Sequence, residues 1–295
     1  ALPSNIEGHK NTAIGSEALF DNTTGFVNTA VGYQALTHNV SGAGNVAIGA
    51  NALTTNVSGG INVAIGNNAL FFNLSGDTNT VVGHNAMHNN VFGKNNTSVG
   101  SFSLYNNIGG TENNALGVSA LGNNLTGSFN TAVGYLALAY NTIGNQNTAL
   151  GNHALQNNEG GFQNTATGNR ALESNTFGSF NTANGLEALL SNTTGLSNTA
   201  VGIVALKSNT TGNYNTATGA GALRENTIGN NNTALGYAAL VSNKTGSKNT
   251  GVGFEALKTN TSGILNTAVG GEALTFNKSG FANTALGYPL CNLEQ

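Results

Sequence analysis

The sequence predicts an all-β protein: a parallel β-solenoid (β-roll) of about 17 coils with 17 residues per coil. Asn recurs every 17 residues, 17 times from Asn11 to Asn283, without an insertion or deletion. Gly follows four residues after each of these Asn residues, and the residues between them are mostly Thr-Ala-Val. A fixed period without insertions is typical of stacked coils, because an insertion would break every ladder. A helical repeat needs about 33 residues, so this period excludes helical solenoids.

The repeat is numbered from this Asn, position 0, and its consensus is N-T-A-V-G-x-x-A-L-x-x-N-T-T-G-x-x. Positions 1–3 predict a short strand, and Gly at positions 4 and 14 is expected at corners where a positive φ costs little. Ala at positions 2 and 7 and Leu at position 8 form a thin core. Stacked Asn at positions 0 and 11 is expected to pair amide with amide or to satisfy turn backbone. The predicted structural ladders include Asn28, Asn45 and Asn62 (position 0), Gly32 and Gly49 (position 4), Leu36 and Leu53 (position 8), and Asn39 and Asn56 (position 11).

The strand also predicts an outward stripe. If Ala at position 2 faces the core, positions 1 and 3 face the other side, because side chains alternate along a strand. Such a Thr/aliphatic stripe favours packing against another copy, although the opposite facing and a ligand surface both remain open. The candidate interface or ligand stripe comprises the pairs Thr12 and Ile14, Thr29 and Val31, Thr131 and Val133, Thr199 and Val201, and Thr267 and Val269.

The aromatic residues point to the same kind of contact. All 13 Phe and 7 Tyr lie at positions 5, 6, 9, 10, 13, 15 or 16, outside the core columns. Aromatic side chains normally fill protein interiors. Exposed Phe and Tyr therefore predict lateral contacts.

Composition limits the partners. Charged residues are only 7% and the net charge is −3, with 9 Lys plus Arg, which disfavours a nucleic-acid partner. No apolar run approaches the roughly 18 residues of a membrane span, so membrane insertion is not expected. Nothing in the repeat indicates a cofactor or an enzyme. The phase holds from one end to the other, which predicts a single uninterrupted domain over residues 1–295.

The segment Asn28-Thr-Ala-Val-Gly-Tyr-Gln-Ala-Leu36 resembles repeats of bacterial and phage surface fibre proteins. It is also similar to the S-V-A-I-G motifs in the heads of trimeric autotransporter adhesins. The resemblance implies a trimeric, extracellular β-roll at a cell surface or on a virion fibre, used as a shaft or for adhesion to a glycan or host receptor. The period here is longer than in adhesin heads, and the repeat pattern predicts neither a coiled-coil stalk nor an anchor within residues 1–295.

Two pairs on adjacent coils carry charge at position 6. Glu255 and Glu272 have the spacing of a retaining-glycosidase pair, with carboxyls about 5 Å apart. Because no third polar group converges on them, two solvated surface acids are the preferred interpretation. Arg170 and Glu187 are expected to pair across the surface, at about 0–1 kcal/mol.

Other apparent motifs have ordinary explanations. His84 and His88 lie four residues apart but have no carboxylate or thiol to complete a metal site. Cys291 replaces Leu at position 8 and is expected to be a buried thiol. The consensus turn also creates glycosylation sequons at position 11, which conflict with an inward Asn ladder; they include Asn22, Asn39, Asn192 and Asn209.

The leading functional hypothesis is a non-catalytic extracellular structural or adhesive fibre. Both ends stop in mid-repeat without a cap, so we expect either a piece of a longer protein or end-to-end stacking into filaments. The alternative is an ice- or glycan-binding solenoid that uses the Thr-lined face.

Overall fold

The computed structural model describes residues 2–288, which contain only short strands, turns and bends. Each strand is three residues long and covers positions 1–3 of one repeat. The chain divides into two units with a boundary between Asn152 and His153. Each unit is a parallel β-solenoid with a 17-residue period, which confirms the predicted fold class. That residues 1–295 form one uninterrupted domain stays a prediction.

In unit 1, residue n pairs with residue n+17 throughout the sheet; Thr29, for example, lies beside Val46, and Ala30 beside Ala47. The strands of unit 1 are β1 (Thr12–Ile14), β2 (Thr29–Val31), β3 (Val46–Ile48), β4 (Val63–Ile65), β5 (Thr80–Val82), β6 (Thr97–Val99), β7 (Asn114–Leu116), β8 (Thr131–Val133) and β9 (Thr148–Leu150).

Unit 2 repeats this arrangement with the same register; for example, Thr182 lies beside Thr199. Its strands are β10 (Thr165–Thr167), β11 (Thr182–Asn184), β12 (Thr199–Val201), β13 (Thr216–Thr218), β14 (Thr233–Leu235), β15 (Thr250–Val252), β16 (Thr267–Val269) and β17 (Thr284–Leu286).

Backbone bonding between coils extends well beyond the strands. The Leu36 N–H donates to the Ala52 carbonyl (3.0 Å), and the Val40 N–H donates to the Val57 carbonyl (3.1 Å). An inserted residue would shift all of these bonds out of register. The backbone therefore explains why the period is constant.

The core is the predicted set of Ala, Leu and Asn columns. Ala47, Ala52 and Leu53 are fully buried in the third strand's coil, and so are Asn45 and Asn56. Since Ala contributes little apolar area, the Leu column supplies most of the buried apolar surface, and the Asn ladders add buried hydrogen bonds to those of the backbone.

Both Asn ladders are present as predicted. At position 0, the Asn62 side-chain amide donates to Asn45 Oδ1 (3.1 Å) and to the Gly76 carbonyl (2.8 Å). The Asn62 backbone N–H also donates to Asn45 Oδ1 (3.0 Å). At position 11, the Asn56 amide donates to Asn39 Oδ1 (2.7 Å). Each Asn thus links adjacent coils, and the position-11 Asn also closes a turn, as where the Asn56 amide donates to the Gly59 carbonyl (2.9 Å).

The corner prediction is correct at position 4 and wrong at position 14. Gly49 has a φ of +134°, whereas Gly59 does not have a positive φ. A Cβ at Gly59 would instead lie under 3.0 Å from the Gly76 carbonyl oxygen and from the amides of Asn56 and Asn73. Gly is required at position 14 because the Asn ladder passes against its Cα.

Positive φ values occur where the sequence did not predict them. Positions 6, 8 and 16 adopt the left-handed conformation with ordinary side chains, as at Asn51 (+57°), Leu53 (+54°) and Ile61 (+58°). This conformation costs a residue with a Cβ about 1–2 kcal/mol. Full burial of a Leu side chain returns about 1.5–3 kcal/mol, so at position 8 burial offsets the strain.

Candidate functional site

The outward side of the strands is the candidate site. In both units the position-2 side chain is buried, while positions 1 and 3 are half-buried or exposed, as in Thr29–Val31 and Thr267–Val269. The terminal strands Thr12–Ile14 and Thr284–Leu286 differ because their central Ala is only half-buried. Ala therefore faces the core, and the Thr/aliphatic stripe faces outward, as predicted.

The stripe residues form parallel ladders within each unit. In unit 1, Thr131 and Val133 are half-buried, while Ile14 is 60% exposed. In unit 2, Thr199 is half-buried and Val201 is exposed. Parallel sheets are normally covered on both faces. Here one face packs on the core, and no segment within residues 2–288 covers the other.

Beyond its first 21 residues, the surface of unit 1 is almost free of charge. Between residues 22 and 152 the sequence contains only three charged side chains, Asp77, Lys94 and Glu112, all at positions 15 and 16. Lys94 and Asp77 form an ion pair (2.7 Å). The strand face thus has no charged group that would oppose contact with another apolar surface.

A second apolar column on unit 1 was missed from the sequence. Position 12 carries six consecutive aliphatic side chains, all exposed or half-buried: Val40, Val57, Leu74, Val91, Ile108 and Leu125. In unit 2 the same position is mostly Thr and Lys. The run of Val, Leu and Ile at every seventeenth residue could have predicted this column, but the consensus describes position 12 as Thr.

The aromatic side chains lie outside the core, as predicted. Phe102 is 40% exposed and Tyr140 is 48% exposed. Some of them stack from coil to coil at position 9. The Phe71 and His88 rings lie 5.1 Å apart, and the His88 and Tyr105 rings 5.3 Å apart. These rings stack because residues 17 positions apart lie above one another on adjacent coils.

The carboxylates at position 6 do not converge on a common partner. Glu255 accepts a hydrogen bond from Lys258 (2.9 Å), and Glu272 accepts one from the Tyr288 hydroxyl (3.0 Å). His84 contacts the Asn85 amide, while His88 is held in the aromatic stack. Within residues 2–288, no group of three or more His, Cys, Asp or Glu side chains is placed to hold a metal ion.

The expected pair of Arg170 and Glu187 is confirmed and belongs to a larger network. Arg170 donates to Glu187 (3.2 Å) and to Glu173 (2.5 Å), and Lys207 donates to Glu187 (2.7 Å). The hydrogen bond from Lys207, followed by the charges of Lys207 and Arg170, outweighs the effect of burial and lowers the pKa of Glu187.

In unit 1, partial burial raises the pKa of Asp77. The hydrogen bonds from Lys94 and from the Gly60 N–H outweigh that effect, and the net pKa is lowered. Both perturbed carboxylates are explained by their ion pairs, so neither points to a reaction.

The sequon Asn side chains lie in the buried ladder. Asn39 donates to Asn22 Oδ1 (2.8 Å) and to the Gly42 carbonyl (3.0 Å). Asn192 and Asn209 are likewise fully buried. A glycan on any of these amides is incompatible with its ladder bonds. Cys291 lies outside the described residues.

Comparison with known proteins yields no relative. No family model, no curated protein and no solved structure matches this chain. Among residues 2–288 there is also no helix long and apolar enough to cross a membrane.

Proposed function

We propose that this protein is a non-catalytic extracellular fibre protein, structural or adhesive, whose copies associate laterally through the strand face. The observation that carries the proposal is the uncovered, charge-free outward face of a parallel sheet. A long Thr/aliphatic face of this kind gains free energy when a second apolar surface removes it from water.

The size of the face bears on how tight that association is. Nine strands of unit 1, spaced about 4.8 Å apart and three residues long, present a face of about 430 Å². A stable interface buries about 800 Å² per partner. The flanking position-5 side chains, including Tyr33 and Tyr135, therefore have to join the contact, or unit 2 has to contribute as well.

The test is the mass of the protein in solution by light scattering. We expect a multiple of 29.7 kDa, with about 90 kDa for the trimer that the resemblance implies. A double variant, Val31→Lys with Val133→Lys, places two charges on the strand face and is expected to give the monomer mass. The matched control is Ile143→Lys, at an exposed position-13 site of the same unit.

Two results would contradict the association. A mass of 29.7 kDa for the wild-type protein would show that it is a monomer. If the double variant keeps the wild-type mass and Ile143→Lys lowers the mass, the contact lies on another face. A polydisperse high mass would indicate filaments. Circular dichroism on each variant establishes that a change of mass does not come from unfolding.

The alternative is that the strand face itself binds ice or a glycan. Its specific support is the outward Thr column, which reaches two Thr per strand in Thr165–Thr167 and Thr216–Thr218. Thermal hysteresis tests ice binding and a glycan array tests the other version. Loss of either activity in Val133→Lys would assign it to this face.

The extracellular location and the adhesive role rest on the resemblance of the repeat to surface fibre proteins. Immunogold labelling of intact cells or particles tests the location. Gold confined to the cell interior would contradict it.

A further inference from the structure

Unit 1 contains a slot where the aromatic stack at position 9 is interrupted. The stack runs through Phe71, His88 and Tyr105, and the next coil has Gly122 at that position, followed by Ala139. Because Gly122 has no side chain, a cavity of about 200 Å³ opens beside the Tyr105 ring. We propose that this slot binds one ring of a neutral saccharide.

The walls of the slot are aromatic and aliphatic. Phe102 and Tyr105 form one wall, with ring centroids 5.7 Å apart. Leu136 and Tyr140 form the other and belong to the coil two repeats further on. A few polar groups among apolar walls are typical of small-molecule sites. A pyranose ring has the matching character, with C–H groups on its faces and hydroxyl groups around its rim.

The separation of the walls corresponds to one missing ring of the stack. Coils two repeats apart are separated by about 9.6 Å. A planar ring in contact with both walls needs about 7–8 Å, since each carbon–carbon contact takes 3.5–4.0 Å. The gap therefore has room for one ring, and the hydroxyl groups around the rim of a pyranose match the polar groups of the slot.

The polar groups of the slot are hydrogen-bonding and uncharged. Among residues 2–288, no group bonds to the Ser119 hydroxyl or to the Tyr140 hydroxyl, and both residues line the slot. Asn123 Oδ1 accepts a hydrogen bond from the Asn106 amide (2.9 Å), and one Asn123 N–H donates to the Ala139 carbonyl (3.2 Å). The second N–H of the Asn123 amide is left for a ligand. None of the lining side chains carries a charge, so the slot offers no ion-pair partner to a charged sugar.

The slot uses positions 6, 9 and 10, whereas the strand face uses positions 1–3. Sugar binding therefore does not depend on the lateral association proposed above. Its failure would leave the mass in solution unchanged.

The experiment is saturation-transfer NMR on the full chain with methyl β-glucopyranoside, methyl β-galactopyranoside and methyl N-acetyl-β-glucosaminide as probes. We expect saturation of at least one glycoside by the wild-type protein. Gly122→Tyr continues the stack and is expected to abolish the signal by filling the slot. Leu190→Tyr introduces the same ring at position 9 of unit 2 and is expected to leave the signal unchanged.

A second variant guards against misfolding, because a Cβ at Gly122 lies 3.2 Å from the Ser119 carbonyl oxygen. Tyr140→Ala removes a half-exposed wall residue without touching the core and is expected to weaken binding several-fold. The proposal is overturned if no glycoside is saturated or if Gly122→Tyr and Tyr140→Ala both bind as the wild type does. It is also overturned if the signal is lost in Val133→Lys instead.

Discussion

Two adjacent glycines in one turn are expected to respond in opposite ways to the same substitution. A Cβ at Gly110, position 14, would lie under 3.0 Å from the Gly127 carbonyl oxygen and from the amides of Asn107 and Asn124. A Cβ at Gly109, one residue earlier, meets no atom within 4 Å, and its φ is not positive. Gly110→Ala and Gly109→Ala therefore differ only in whether the added methyl group meets the Asn ladder.

The magnitude follows from the bonds that the methyl group displaces. Asn107 donates to the Gly110 carbonyl (3.0 Å), and Asn124 donates to Asn107 Oδ1 (2.8 Å). Losing two buried hydrogen bonds costs about 1 kcal/mol each, and leaving a buried amide without a partner costs a further 1–3 kcal/mol. Gly110→Ala is thus expected to destabilise its coil by about 3–5 kcal/mol. Gly109→Ala is expected to be neutral or to stabilise by up to about 1 kcal/mol.

The assay is hydrogen exchange followed by mass spectrometry, because repeat proteins open locally and a single unfolding midpoint averages over coils. The Leu104 and Ile108 amides, bonded to the next coil, report on the site. In Gly110→Ala their protection is expected to fall about a hundredfold or more. The Leu36 amide, in a distant coil of the same unit, is the internal control. Equal protection in the Gly110→Ala and Gly109→Ala proteins would refute the requirement for Gly at position 14.

Three further substitutions test the ladders, the core and the ion pairs. Asn62→Ala removes bonds to both neighbouring coils and is expected to cost about 3–5 kcal/mol of stability. The control is Asn67→Ala at an exposed position, which is expected to change stability by less than about 0.5 kcal/mol. Hydrogen exchange compares the two variants, and equal effects would contradict a stabilising ladder. Leu53→Ala is expected to cost about 2–5 kcal/mol in urea unfolding, and a loss below about 1 kcal/mol would show that the thin core is not tightly packed. Lys207→Gln removes the main cause of the lowered Glu187 pKa, so NMR titration should show this pKa rising toward its ordinary value. A carboxyl whose pKa is lowered in the folded state stabilises the fold at a pH above its unfolded-state pKa, about 4.3, and this stability is lost as the pH falls. The variant should therefore lose less stability in acid than the wild type. An unchanged Glu187 pKa in the variant would assign the shift to another group.

Much of the fold could be predicted because the residue types of the core columns recur from repeat to repeat. The columns of Asn28, Leu36 and Asn39 act as an internal alignment, and their buried placement follows from the period alone. The outward direction of Val31 followed from strand alternation once Ala30 was placed inside. These predictions held because coil stacking forces equivalent residues into equivalent environments.

The reasons for individual residues were harder to predict. Gly59 was expected to supply a positive φ, but it is required because the Asn56 and Asn73 amides pass against its Cα. Leu53 adopts a left-handed φ that its residue type disfavours, and only its burial in the assembled coil offsets the cost. Backbone propensity is a local property, whereas close approach and burial depend on the neighbouring coil.

The candidate sites divide in the same way. The sequence alone determined the period, the ladders, the inward Ala and the low charge of the surface, because these depend only on which residues recur. The tertiary structure decided which variable side chains meet. It brought Phe102, Tyr105 and Tyr140 around Gly122, and it set Glu187 between Arg170 and Lys207. Such groupings depend on side-chain direction across coils, since residues 17 or 34 apart in the chain become neighbours only once the backbone has stacked.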